Sequence, residues 1–207
     1  MAQTERGQEE LRTDEREQEF AQQFERYMSR MRDDMRDTYH RVLPSGELIF
    51  NRFDKGKYLH VGEHSSVYDT SVVMGDVSIG DNVWVGPYTL LEGSNAKLTI
   101  GNFVSIDAGV MIYTHDSTKY YVSGGACPFD QGDVTIGNYS VIGTMSIIRH
   151  GVTIGDHCVI AANSYVNCDI PDYSIAAGNP ARVIGKVILD GKDVRFEYRK
   201  DNEIQEE

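Results

Sequence analysis

Of the six histidines in this chain, His115 and His150 stand where chemistry is easiest to place. An unperturbed imidazole titrates at about pH 6.5, so near neutrality it is mostly uncharged and able to accept a proton. A hydroxyl or amine that attacks a carbonyl needs such a base in contact as its proton leaves. His115 falls where a regular pattern breaks into a long excursion from Asp116 to Asp133. It is therefore expected at the root of a protruding loop, the kind of place where functional side chains sit on a rigid scaffold. His150 is expected near the same corner one turn further on, either orienting an acceptor or occupying a tight turn. Asp116 adjoins His115 and could meet an acceptor, but neighbouring side chains diverge, so a carboxylate orienting the imidazole is expected from elsewhere. His157 falls on another face and reads as solvated, and His40, His60 and His64 carry no motif. No serine lies in a nucleophile-elbow context, which favours direct attack by the acceptor over a covalent intermediate. Cys127, Cys158 and Cys168 have no metal-type pairing and read as reduced thiols. No metal site is expected.

The elements that must hold these residues follow from a period of six. Aliphatic residues recur at Val61, Val67, Val73, Ile79, Val85 and Leu91, and the frame shifts at a short insertion around Ser94 to Lys97. It resumes at Ile100, Ile106 and Ile112, breaks again at the Asp116 to Asp133 segment, and returns at Ile136, Ile142, Ile148, Ile154, Ile160 and Val166. Glycine often follows the aliphatic residue, as at Gly80, Gly86, Gly101, Gly137, Gly143 and Gly155. Small or β-branched residues take the fifth position, as at Val83, Thr89, Val104, Val110, Ser140 and Ser164. Six fits neither a helix nor a long strand. It fits a coil of three short strands and three tight corners, about eighteen residues per turn, with the aliphatic residues pointing inward. Stacked coils pair their strands at about 4.8 Å. The expected fold is mainly β, a parallel β-helix of about five coils with an N-terminal helix and a C-terminal hairpin.

The flanks differ in composition. From Glu9 to Arg41 there is no glycine or proline, and Phe20, Phe24, Tyr27, Met31 and Met35 mark one face of an amphipathic helix. That face either caps the rest of the chain or forms a seam between subunits. The expected divisions are a charged helix over 1–43, a connector over 44–60, the β-helix over 61–186 with its loop at 116–133, and a hairpin and tail over 187–207. Alternating apolar residues around Asp190-Gly191 carry the hairpin signal, and Asp201 to Glu207 read as a frayed polar end. A net charge of −12 argues against nucleic acid or an anionic membrane as partner. The charged N-terminus is not expected to be a signal peptide, and no stretch approaches the roughly 20 apolar residues of a membrane span. A cytoplasmic protein is expected.

These hexads, together with Tyr113-Thr114-His115-Asp116, Gly151-Val152-Thr153-Ile154-Gly155-Asp156, Asp169-Ile170-Pro171-Asp172-Tyr173-Ser174 and Ala176-Ala177-Gly178-Asn179-Pro180-Ala181, resemble the hexapeptide-repeat acyltransferase superfamily. The likeness covers roughly Val61 to Lys186 and is nearest the sugar, antigen and antibiotic O-acetyltransferases. It departs from that pattern where relatives carry a tryptophan in the segment matching Ile136 to Val141, and where they carry proline in place of His150. The resemblance implies left-handed coils, a homotrimer, and transfer of an acetyl group from acetyl-CoA to a sugar or similar acceptor, with His115 as base. It implies that the pantetheine arm of acetyl-CoA meets corners at Gly143, Thr144, Ala161 and Ala162, and that Arg182 and Lys186 face the donor's phosphates. Two other outcomes stay open on the same prism: a zinc-dependent lyase resembling the three-histidine carbonic anhydrases, built on His115, His150 and His157, or a scaffold without turnover.

Overall fold

The computed structural model describes residues 15–199; the polar end expected at Asp201 to Glu207 lies outside the described residues. The chain divides into two compact units, 1–49 and 50–207. The first contains α1 (Glu15–Tyr39) and α2 (Ser45–Ile49). Glu15 and Glu17 in the first turn of α1, and Arg36 in the last, complement the helix dipole. Met28 is the buried residue of α1, Met31 and Met35 are half-buried, and Phe20, Phe24 and Tyr27 are exposed.

The segment read as a connector is more structured than its composition implies, because α2 and then α3 (Arg52–Tyr58) form within it. Asn51 caps α3, its side chain accepting from the Phe53 N–H at 2.9 Å. The Lys55 ammonium then donates to the carbonyls of Asp69 (2.7 Å) and Ser71 (2.6 Å), tying α3 to the first coil.

The rest is a β-helix whose strands are mostly two residues long. One face stacks Val67, Val85, Ile106, Ile142, Ile160 and Ala176 in parallel register. A second stacks Val73, Leu91, Ile112, Ile148 and Val166. The third stacks Ile79, Ile100, Ile136 and Ile154, with Ile170 added by an isolated bridge. The stack is therefore six rungs deep on its longest face. From Val85 inward the aliphatic residues are essentially inaccessible, whereas Val61, Val73 and Ile79 of the first coil stay half-exposed. Each fully buried Ile or Leu contributes ~1.5–3 kcal/mol of transfer free energy. Both frame breaks are absorbed locally, the first by a register shift between Gly75 and Val77, so Leu91 still pairs with Ile112 and Ile106 with Ile142.

One corner explains the glycines that follow Ile79, Ile100, Ile136 and Ile154. Asp81, Asn102, Asn138, Asp156 and Asp172 form a continuous ladder, each side chain accepting the backbone N–H one coil earlier at 2.7–2.9 Å. A Cβ at Gly80 would lie 2.5 Å from Asn102 Oδ1, and one at Gly137 equally close to Asp156 Oδ1. The next residue at this corner always takes positive φ, 54–59° at His64, Asn82, Phe103, Tyr139, His157 and Tyr173. Their side chains are thrown outward and stack: Phe103 on Tyr139 at 5.5 Å, Tyr139 on His157 at 4.6 Å, and His157 on Tyr173 at 4.8 Å. His157, expected to be solvated, is thus sandwiched between two tyrosines.

After the last coil, Ser174–Gly178 turns through Asn179-Pro180 into Ala181–Asp190, which pairs antiparallel with it and with Asp193–Tyr198. The hairpin at Gly191 (φ 60°) is as expected, but its first strand begins at Ala181, six residues earlier than the alternation indicates.

Candidate active site

His115 leaves the second face three residues after Ile112 and opens the excursion. The pair His115–Asp116 forms a two-residue antiparallel ladder with Asp130–Gln131, which closes the neck of the loop. Within the loop, α4 (Thr118–Val122) places Tyr120 edge-on to Phe129 at 5.1 Å, and Phe129 stacks on the His115 ring at 5.6 Å. The imidazole is clamped on one side by this aromatic pair.

Its other restraint is a residue that sequence reasoning did not single out. Glu92, only 2% exposed, sits one coil below, directly after the core residue Leu91. Its Oε2 accepts the Thr114 N–H and hydroxyl, each at 3.0 Å, and lies 3.0 Å from His115 Nδ1; its Oε1 accepts the Ser94 N–H at 2.6 Å. Burial pushes the Glu92 carboxyl up, but the Thr114 and Ser94 N–H groups and His115 outweigh it and hold it at about 2. A carboxylate only accepts, so His115 Nδ1 carries a proton, and in the neutral ring the lone pair is on Nε2. The signal for Glu92 was an acidic residue directly after an inward aliphatic one, immediately before a frame break, on the rung that pairs with Ile112.

A cavity of about 310 Å³ opens beside this pair, lined by Tyr113, His115, Asp116, Ile147, Arg149, His150 and Tyr165. His115, His150 and Asp116 are therefore brought together as grouped in the sequence. Asp116 Oδ1 accepts the Thr118 N–H at 2.7 Å, and its hydrogen bonds with Thr118 hold its carboxyl low. His150 Nε2 is buried without a hydrogen-bond partner, and burial, then the Arg149 charge, pushes its imidazole below the usual value. His157 belongs to the aromatic column on another corner, so the three histidines of the zinc reading do not converge. Among the described residues no three His, Cys, Asp or Glu side chains are grouped to hold a metal.

The residues expected at the donor lie elsewhere. Gly143 is buried, and a Cβ there would lie 2.6 Å from the Ile160 carbonyl, so coil stacking alone requires glycine. Thr144 and Ala162 are exposed one above the other, with Ala161 half-buried beside them. This corner and the His115 cavity sit at opposite ends of the same short strands, Ile147–Ile148 and Tyr165–Val166. Arg182 and Lys186 are exposed on the strand that follows the closing turn.

Residues 133–168 match the family model "Bacterial transferase hexapeptide (six repeats)". The chain is 33% identical over 155 residues to the galactoside O-acetyltransferase of Escherichia coli, covering 74% of this chain and 64% of that protein, less than two thirds of its length. It is similar to the crystal structure of a hexapeptide-repeat acetyltransferase from Vibrio cholerae, with a TM-score of 0.59 and 27% identity over 83% of this chain and 94% of the other. The fold is also shared with an N-acyltransferase from Bacillus cereus, with a TM-score of 0.56 and 24% identity over 70% and 75% of the two chains.

Proposed function

We propose that this chain, which resembles the hexapeptide-repeat left-handed β-helices in its family-model match and its solved neighbours, moves an acetyl group from acetyl-CoA to a hydroxyl of a sugar or similar small acceptor. The observation that carries this reading is the Glu92–His115 pair, with Nδ1 anchored at 3.0 Å and the ring beside an open cavity. A base held in one tautomer needs no reorganisation when the acceptor arrives. His115 Nε2 takes the acceptor's proton as its oxygen attacks the thioester carbonyl. Glu92 stabilises the imidazolium that forms. As the tetrahedral intermediate collapses the C–S bond breaks, and Nε2 returns the proton to the CoA sulfur. O-acetylation is favoured over N-acetylation by the galactoside O-acetyltransferase likeness.

The acetyl-CoA arm would enter past Thr144 and Ala162 and run across the outer surface of Ile147 to His115, with Arg182 and Lys186 on its phosphates. That outer face is apolar, with Val72 49% and Ile147 39% exposed, whereas the third face presents Ser78, Thr99, Thr135 and Thr153. This contrast supports a homotrimer in which the apolar face is covered by a neighbour. No described helix is long and apolar enough to cross a membrane; we assign the protein to the cytoplasm on its composition.

The test is a thermal-shift titration with acetyl-CoA, followed by CoA release over a panel of sugars, sugar acids and sugar phosphates. Acetyl-CoA is expected to stabilise the protein, and His115→Ala to lower kcat by about 10²–10⁴-fold while acetyl-CoA still binds. Near-normal turnover of folded His115→Ala would place the base elsewhere. Light scattering that shows an active monomer would overturn the trimer.

A further inference from the structure

The cavity beside His115 contains a positive charge that is held in no ion pair among the described residues. Arg149 lines it and makes no ion pair among the described residues. The nearby carboxylates are all engaged: Glu92 by Thr114, Ser94 and His115, Asp116 by the Thr118 N–H, and Asp130 by Lys119 at 2.9 Å. Next along the chain, His150 keeps its Nε2 buried and without a partner. Buried polar atoms in folded proteins are nearly always satisfied, so this orphan leaves the His150 ring with one hydrogen bond still to make, in a residue that lines the cavity. The Arg149 backbone is fixed, its N–H donating to the Val166 carbonyl at 3.0 Å, so both side chains spring from a rigid rung. In a chain of net charge −12, this guanidinium offers an anion a fixed counter-charge, on the opposite side of the balance from the Asp116 carboxylate that lines the same cavity.

We infer that Arg149 and His150 form a receptor for a carboxylate or phosphate on the acceptor, so that the acceptor is an anionic hydroxyl compound, such as a sugar acid or sugar phosphate, rather than a neutral sugar. This rests on the transfer reading above, since it takes His115 as the reacting centre. The guanidinium fork matches two oxygens of either anion, and the His150 ring supplies a hydrogen bond from the side. Ile147 gives the acceptor an apolar floor, and His115 faces its hydroxyl. The phosphates of acetyl-CoA are the other source of the same chemistry, and the test separates the two.

The probe is inorganic phosphate, titrated at constant ionic strength into full-length protein carrying ¹⁵N-labelled histidine, with the His150 signals assigned by loss in His150→Gln. Phosphate should shift those signals saturably. Arg149→Gln should weaken binding at least about tenfold, and Arg149→Lys, which keeps the charge, should weaken it much less. The titration repeated at saturating CoA should give the same affinity. No saturable shift in the wild type, equal affinity in Arg149→Gln, or displacement of phosphate by CoA would each overturn the assignment. CoA release is measured separately. A phosphate site in a protein that transfers no acetyl group would sink the proposed reaction and leave the anion site standing; an active enzyme without the site would do the reverse.

Discussion

Replacing Glu92 by Gln tests the catalytic reading at its least exposed point. The amide oxygen of Gln must face Thr114 and His115, where three donors converge on Oε2, so its NH₂ is forced against the Ser94 N–H that now donates at 2.6 Å. Nδ1 of His115 stays anchored, but the charge that would balance an imidazolium is gone. Two unit charges about 4 Å apart interact by about 4 kcal/mol at an effective dielectric constant near 20. With the proton between half and fully transferred in the transition state, roughly 2–4 kcal/mol of barrier is at stake, or about 30- to 10³-fold in kcat. The assay is CoA thiol release at saturating acetyl-CoA with the best acceptor of the panel, with circular dichroism as a check on folding. The acetyl-CoA KM should stay within about threefold, because Glu92 does not line the cavity. Adding Glu92→Gln to His115→Ala should cost almost nothing more, since the carboxylate acts only through the imidazole. A folded Glu92→Gln with wild-type kcat, or a full additional loss in the double variant, would refute this role.

Acid should reveal the same carboxylate in stability. Its folded value of about 2 lies below the ordinary 4.5, so its contribution, about 3 kcal/mol, is complete above pH 4.5 and is lost as pH falls through 2. Urea midpoints of wild type and Glu92→Gln should therefore converge over that window; a constant gap would contradict it. Changing Arg182 and Lys186 together to Ala should raise the acetyl-CoA KM and leave kcat largely intact, and an unchanged KM would show that they only face solvent. Gly137→Ala would put a Cβ 2.5 Å from Asp156 Oδ1 and break the Asn138–Asp156 step of the ladder. About 2 kcal/mol of destabilisation and a Tm lower by roughly 4–8 °C are expected, with kcat unchanged.

Much of this molecule was legible because inward residues repeat on a fixed frame. Ile106 and Ile142 carry the same signal although the loop separates them, and the frame alone placed His115 and His150 at one corner. What stayed hidden depends on contacts that the frame does not specify. Glu92 belongs to no motif, and its importance comes from burial under Thr114 one coil away. The aromatic column through His157 arises from the left-handed backbone at each corner, a property of stacking rather than of any single hexad. The early start of the C-terminal hairpin was obscured because Ala181 reads as the end of the closing motif, while its pairing with Gly178 makes it the first residue of a strand.

The ladder of Asp81, Asn102, Asn138, Asp156 and Asp172 links each coil to the next, so the fold behaves nearly as a one-dimensional stack that opens from its ends. Glu92, His115 and His150 follow the second, third and fourth of the five rungs Val73, Leu91, Ile112, Ile148 and Val166. The first coil, with Val73 and Ile79 still half-exposed, is where opening from the N-terminal end is expected to begin, and its Met74 pairs with Glu92, the first of the three to feel it. In hydrogen exchange the Asn138 and Asp156 amides should outlast that of Glu63. The reacting geometry sits at the centre of the stack, where opening events that begin at either terminus arrive last.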